Sequence, residues 1–170
     1  MELLEPGLIP MTVPSIGPFQ RIVAVSWAWG KIRIRYIWTA GGGRDLDTKT
    51  YVSFGDSAST YRPESVQLLD LLHWVSGDNT SQGGEEYVDA NLDSMLTYAA
   101  SSSDPSRPMV ITCSAHWFGE PGNGQVFLRV DGREGASGPS LSRTVTVSTR
   151  YNNPQMIARI LVNGPELQFL

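Results

Sequence analysis

Residues 31–38 read Lys-Ile-Arg-Ile-Arg-Tyr-Ile-Trp, and polar and apolar side chains alternate along them almost without interruption. Side chains of a β-strand point to opposite faces at every second residue, so this pattern predicts a strand with one buried face. The predicted buried residues are Ile32, Ile34, Tyr36 and Trp38. Lys31, Arg33 and Arg35 share the opposite face. This face is either solvated or a docking surface for an acidic partner, and both interpretations stay open.

The same alternation recurs in short segments that are separated by turn sequences rich in Gly, Pro and Asn. Further strands are predicted at residues 22–27, 50–54, 87–92, 109–118, 125–130, 143–150 and 156–162. Residues 65–75 fit both helical and strand spacing, and we favour a strand, whereas residues 93–100 are predicted to form one helical turn. Seven to nine short strands at this spacing predict an all-β fold, either an antiparallel β-sandwich of jelly-roll type or a barrel.

Residues 1–20 differ from the rest of the chain because prolines occur at the evenly spaced positions 6, 10, 14 and 18. Proline interrupts helices and central strands, so we predict an extended N-terminal arm at residues 1–20 and a sandwich domain at residues 21–170. The arm carries candidate partner-binding residues, namely Leu8, Ile9, Met11, Val13, Ile16 and Phe19. Such an arm packs either on its own domain or on a neighbouring subunit, and we favour the neighbour.

Composition argues against several classes of function. The net charge of −4 disfavours nucleic acid as the main ligand, because phosphate binding needs a clustered cationic face. No apolar run approaches the roughly 20 residues that span a membrane, and we expect no signal peptide. A single cysteine excludes an internal disulfide, and His73 and His116 are the only histidines. We predict a non-enzymatic protein, because no combination of nucleophile, base and carboxylate stands out.

Two acidic groups have the oxygen-rich character of calcium ligands. Asp45 and Asp47 flank Leu46, and at strand spacing both carboxylates point the same way. The second group, in a loop that contains glycine, consists of Asp78, Asn79, Glu85 and Glu86. Calcium takes six to eight oxygen ligands from carboxylates and carbonyls. The alternative is that these are solvated turn residues, for which Asp, Asn and Gly are common.

The order of these motifs resembles that of the TerD family of tellurium-resistance proteins. The motifs are Asp-Leu-Asp at 45–47, Ser-Gly-Asp-Asn at 76–79, Gly-Gly-Glu-Glu at 83–86 and Asn-Leu-Asp at 91–93. The resemblance covers about residues 34–130 and implies a calcium-binding β-sandwich. It implies Asp45, Asp47, Asp78 and Glu85 as metal ligands, followed by Asn79 and Glu86.

Three features depart from the family pattern. The Gly84-Glu85-Glu86 segment replaces a longer acidic run, and the C-terminal third lacks the family's closing pattern of arginine, tryptophan and phenylalanine. The proline arm has no counterpart in the family. We therefore expect the sandwich fold to be shared more closely than the metal site or the biological role.

Three functions fit the sequence. The first is a structural protein of a virus particle, either a bacteriophage capsid decoration (cement) protein or a tail component. It would be made in the host cytoplasm, would form homo-oligomers, and would dock to other virion proteins through its arm. The second is a cytoplasmic, calcium-binding stress-response module of the TerD type. The third is a carbohydrate-binding module, for which the five tryptophans and six tyrosines could supply stacking surfaces.

Overall fold

The computed structural model describes residues 30–54, 60–61, 71–101, 109–132, 140–163 and 166–170. Within these residues ten strands form two five-stranded sheets, and every paired strand is antiparallel. The predicted all-β sandwich is therefore confirmed. The predicted arm at residues 1–20 and the predicted strand at residues 22–27 lie outside the described residues.

The first sheet has the strand order β4-β5-β1-β7-β8. Its strands are β1 (Lys31–Trp38), β4 (Leu72–Trp74), β5 (Gly84–Asn91), β7 (Gln125–Gly132) and β8 (Leu141–Thr146). The long strand β1 is central, and its antiparallel partners β5 and β7 lie far from it along the chain. In the sheet, β1 is therefore flanked by strands that do not adjoin it in the sequence.

The second sheet has the order β10-β9-β6-β2-β3. Its strands are β2 (Leu46–Phe54), β3 (Thr60–Tyr61), β6 (Met109–Trp117), β9 (Gln155–Asn163) and β10 (Glu166–Phe169). Strand β2 pairs with β6 along its whole length. The short strand β3 pairs only with the C-terminal end of β2, at Val52 and Ser53.

The core forms between the inner faces of the two sheets, as the alternation along β1 predicts. Ile32, Ile34, Tyr36 and Trp38 are each at most 3% exposed. Tyr36 keeps its hydroxyl satisfied there, because it shares a hydrogen bond of 2.7 Å with Thr50 Oγ1 from the opposite sheet. The two sheets therefore meet through apolar packing with few polar contacts.

Several boundaries differ from the sequence prediction. Strand β2 begins at Leu46 rather than residue 50, and residues Glu166–Phe169, for which no strand was predicted, form the strand β10. The single predicted helical turn is a ten-residue helix, α1 (Leu92–Ser101), whose first turn is capped by a bond from Ser94 N to Asn91 Oδ1 (3.1 Å). Of the strand predicted at 65–75, only Leu72–Trp74 is a described strand.

The last differing boundary is that of β8, which ends at Thr146 rather than continuing to residue 150. Trp117 causes this end, since its indole N–H donates to Val147 O (2.7 Å) and its backbone N–H donates to Thr149 O (3.0 Å). The chain thereby crosses from the first sheet to the end of β6 in the second. Among the described residues, no helix has the length and apolar character that crossing a membrane requires.

Candidate functional site

Three aspartates converge where β2 begins. Asp45 directly precedes β2, Asp47 is its second residue, and Asp78 belongs to the loop between β4 and β5. One carboxylate oxygen from each of them lies within 4.8 Å of the others. Asp45 and Asp47 are partly buried and Asp78 is exposed, so the group, which we call the acidic cluster, opens to solvent on one side.

The local backbone explains why Asp45 and Asp47 share a side. Leu46 between them is fully buried, which turns its two neighbours away from the core. Asp45 has a left-handed φ of 59°, a conformation that Asp tolerates better than most residues. Gly43, two residues before it, has φ 147°, and a Cβ there would lie 2.5 Å from the Trp117 ring, so only glycine fits.

Hydrogen bonds attach the loop of Asp78 to this segment. Ser81 O accepts a bond from Asp45 N (3.2 Å) and another from the indole N–H of Trp38 (3.3 Å). Gly83 N donates to Gly43 O (3.1 Å). Asn79 Oδ1 accepts from Ser81 N (3.1 Å), so the side-chain oxygen of Asn79 serves the loop's own turn. These bonds place the loop at the start of β2.

Glu86 is a buried carboxylate beside the acidic cluster. It lies on the inner side of β5, is 1% exposed, and accepts hydrogen bonds from Thr48 Oγ1 (2.5 Å) and Asn79 N (3.0 Å). The pKa of Glu86 is raised to about 7, chiefly by burial; the hydrogen bonds from Thr48 and Asn79 lower it, and the charges of Asp78 and Asp47 raise it. None of the ion pairs between described residues includes Glu86.

The cluster itself shows electrostatic repulsion. Burial raises the pKa of Asp45, and the charges of Asp47 and Asp78 raise it further, while Arg44 lowers it. Negative charge is therefore unfavourable at Asp45 and at Glu86 for the same two reasons, desolvation and like-charge neighbours. A proton or a bound cation would relieve both.

Glu85, the neighbour of Glu86, points to the other face of the first sheet. There it forms an ion pair with Arg35, with 3.2 Å between Glu85 Oε1 and Arg35 Nη1. The structure thus brings Asp45, Asp47 and Asp78 together with Glu86 nearby, and it places Glu85 apart from them. Asn79 adjoins the group, but it contributes its backbone N–H to Glu86.

The predicted basic stripe on β1 is largely neutralised within its own sheet. Arg33 donates to both carboxylate oxygens of Asp89, at 2.8 and 3.2 Å, and its guanidinium lies 4.1 Å from the centre of the Tyr87 ring. Arg35 pairs with Glu85, and Lys31 is exposed. The two arginines are therefore structural partners of acidic residues on neighbouring strands. The arm residues predicted to bind partners lie outside the described residues.

Sequence reasoning did not include His116 among the candidate site residues. His116 is the cross-strand partner of Asp47 and is 3% exposed. Its Nε2 lies 3.0 Å from Asp47 Oδ2, close enough for an ion pair, but neither ring nitrogen has a hydrogen-bond partner of suitable geometry in the described structure. The sequence pattern gives no sign of this contact, because only the β2–β6 register places His116 beside Asp47.

A pocket of about 260 Å³ lies next to the acidic cluster and shares Asp47 with it. It reaches from the outer face of the second sheet around the edge of β2 to the edge strand β4 of the first sheet. Its lining residues are Asp47, Thr48, Lys49, Thr50, Tyr51, Trp74, Val88, His116, Tyr151 and Asn152. Sequence reasoning did not find this pocket, because its wall comes from both sheets and the loop after β8.

Comparisons with known proteins leave the site to be interpreted from its own geometry. The chain matched none of the family models against which it was compared, and it matched none of the curated proteins.

Proposed function

We propose that this chain is a non-enzymatic β-sandwich module that binds a divalent cation, Ca²⁺, at the acidic cluster. The observation that carries the proposal is the convergence of Asp45, Asp47 and Asp78 within 4.8 Å, beside the buried carboxylate of Glu86. Buried or crowded carboxylates without a cationic partner are unfavourable, so a cation there gains more than it would at a solvated surface.

The chemistry of the donors favours calcium over other metals. Every ligand that the cluster offers is a carboxylate oxygen, the donor preferred by Ca²⁺ and Mg²⁺, whereas zinc sites generally include Cys or His. The cluster is open on the side of Asp78, which leaves space for the water ligands that a seven-coordinate Ca²⁺ needs. Asp45, Asp47 and Asp78 would hold the ion, and Glu86 would add negative charge close by.

The resemblance to the TerD family supports the same assignment. The Asp-Leu-Asp and Ser-Gly-Asp-Asn motifs that carry the resemblance supply the three aspartates of the cluster. Glu86 rather than Glu85 would be the nearby acid, because the pleat of β5 turns Glu85 toward Arg35. A calcium-binding module of this type is our leading proposal for the chain.

Calorimetry on chelator-treated protein tests this proposal. We expect titration with CaCl₂ to give a Kd of about 10⁻⁵ to 10⁻³ M, with weaker binding of MgCl₂. Asp45→Asn and Asp78→Asn should each weaken calcium binding at least about tenfold, since each removes one charged ligand. Asp93→Asn is the matched control, because Asp93 is an exposed acid in the first turn of α1, outside the cluster.

Two results would contradict the calcium proposal. One is the absence of binding heat at about 5 mM CaCl₂, above the range of known protein calcium sites. The other is an equal loss of affinity in Asp93→Asn and Asp45→Asn, which would indicate diffuse attraction to the acidic surface.

A role as a structural protein of a virus particle stays a prediction. It depends on docking through residues 1–20, which lie outside the described residues. Size-exclusion chromatography of the full chain and of a chain lacking these residues tests it. We expect the full chain to form oligomers and the shortened chain to be monomeric, and a monomeric full chain would contradict the oligomer expected from the arm.

A further inference from the structure

Two exposed aromatic side chains, Trp74 and Tyr151, line the pocket beside the acidic cluster. Trp74 on β4 is the cross-strand partner of the buried Val88, so its ring lies on the inner side of the first sheet, at the sheet edge. It is 39% exposed, and Tyr151 from the loop after β8 is 60% exposed. Solvent-exposed rings in a concave site are available to stack on a ligand.

Tyr151 is held in place by its neighbours. Its ring makes edge contacts with His116, at 6.1 Å between centroids, and with Phe118, at 5.3 Å. These contacts limit the rotation of a side chain that is otherwise exposed, so its face is pre-organised. A pre-organised aromatic face loses little conformational entropy when a ligand stacks on it.

The rest of the wall is polar and offers both donors and acceptors. Lys49 and Asn152 can donate, while Asp47, Asn152 and the threonine hydroxyl of Thr48 can accept. His116 is 3% exposed; its Nε2 lies 3.0 Å from Asp47 Oδ2, and its Nδ1 lacks a hydrogen-bond partner among the described residues. A buried ring nitrogen without a hydrogen-bond partner is unfavourable, and a ligand hydroxyl in the pocket would satisfy it.

Charge and size narrow the class of ligand. The lining carries Asp47 and Lys49, whose charges offset, but the neighbouring acidic cluster would repel an anion. A purely apolar ligand would leave the Nδ1 of His116 without a partner. At about 260 Å³ the pocket is smaller than the roughly 300 Å³ at which sites for drug-sized ligands begin, so it suits one ring.

We propose that this pocket binds a single neutral sugar ring, free or as part of a glycan. The ring's C–H face would stack on Trp74 or Tyr151, and its hydroxyls would exchange hydrogen bonds with Asp47, His116 and Asn152. A saccharide combines an apolar face with several donor–acceptor hydroxyls, which is the combination that this wall presents. This inference goes beyond cation binding and stands on different residues, apart from Asp47.

Saturation-transfer NMR tests this inference with defined probes. The methyl glycosides of glucose, galactose, mannose and N-acetylglucosamine, at about 10 mM each, are mixed with the full chain. At least one should show saturation transfer to its ring protons, with a Kd of about 1 mM, as expected for a ligand of a dozen heavy atoms. Trp74→Ala and Tyr151→Ala should each weaken binding about tenfold.

Phe127→Ala is the matched control. Phe127 is an aromatic residue that is 37% exposed, similar to Trp74, but it lies on β7, away from the pocket. Its replacement should leave sugar binding unchanged. Thermal melts of all three variants verify folding, and the exposed positions make a large loss of stability unexpected.

An array that carries printed glycans and extended peptides completes the test. Binding to glycans that is lost in Trp74→Ala supports the proposal. Signal on peptides alone, or no saturation transfer with any glycoside, overturns the proposal. Repeating the NMR with CaCl₂ and with a chelator separates the two proposals. If Asp45→Asn still binds the sugar, the sugar proposal holds even when the calcium proposal fails.

Discussion

Glu85 and Glu86 are adjacent on β5, and the sandwich gives their charges opposite surroundings. On the outer face of the first sheet, Glu85 and Asp89 meet Arg35 and Arg33, so negative and positive charges balance. At the start of β2, Glu86 adjoins Asp47 and Asp78, and no ion pair between described residues includes Glu86. The contrast teaches that the chain neutralises the charges on the outer face of the first sheet with its own side chains. It leaves an excess of negative charge at the acidic cluster, where we propose that a cation binds.

Removing one partner of the ion pairs on the outer face of the first sheet should reduce the free energy of unfolding the most. Arg33→Ala removes both hydrogen bonds to Asp89, which is 5% exposed, and we expect the free energy of unfolding to fall by about 3–4 kcal/mol. Urea denaturation at neutral pH measures this loss. The double variant Arg33→Ala/Asp89→Ala should lose less than Arg33→Ala alone, because no buried carboxylate is left behind. An equal or greater loss in the double variant would argue against a role for this pair.

The excess of negative charge around Glu86 should make the stability of the metal-free protein depend on pH. The pKa of Glu86 is about 7 in the fold and about 4.5 in the unfolded chain, so the unfolded state ionises first as pH rises. Stability should therefore decrease between about pH 4.5 and 7, by up to about 3 kcal/mol, and then level off. Denaturant unfolding in a chelator at several pH values measures this decrease.

Glu86→Gln provides the control for this pH effect. It removes the titrating group and should flatten the decrease, while Glu85→Gln should leave the decrease as it is in the unchanged protein. A decrease of the same size in Glu86→Gln would assign the pH effect to other groups.

The next largest effect should be the gain in stability when calcium binds at the acidic cluster. At a calcium concentration about 100 times the Kd, binding should stabilise the fold by about 2.7 kcal/mol, and Asp45→Asn should remove most of this gain. The same variant should slightly raise metal-free stability, because burial and the nearby charges of Asp47 and Asp78 make negative charge at Asp45 unfavourable. Thermal melts with and without calcium measure both, and an unchanged calcium response in Asp45→Asn would count against the site.

Glu85→Gln should have the smallest effect. The side chains of Glu85 and Arg35 are 33% and 36% exposed, and solvent-exposed ion pairs contribute about 0–1 kcal/mol. We expect a loss below about 0.5 kcal/mol in urea denaturation. A loss above about 2 kcal/mol would mean that the outer face depends on this pair far more than its exposure indicates.

Local patterns in the sequence predicted much of the fold correctly. The alternation along residues 31–38 predicted both the strand β1 and its buried face, and turn residues predicted the separation of most strands. The sequence prediction made the helix α1 too short and began β2 too late, because caps and sheet pairing decide where elements begin and end.

The sequence alone determined which face each side chain of a strand takes, because a strand has a period of two whatever its neighbours are. For that reason Asp45 and Asp47 could be expected to point the same way. Only the tertiary structure decided which strands are neighbours, and with that the approach of Asp78, the burial of Glu86 and the pairing of Asp47 with His116. Strand order and register depend on contacts between residues distant in the chain, which no local period records.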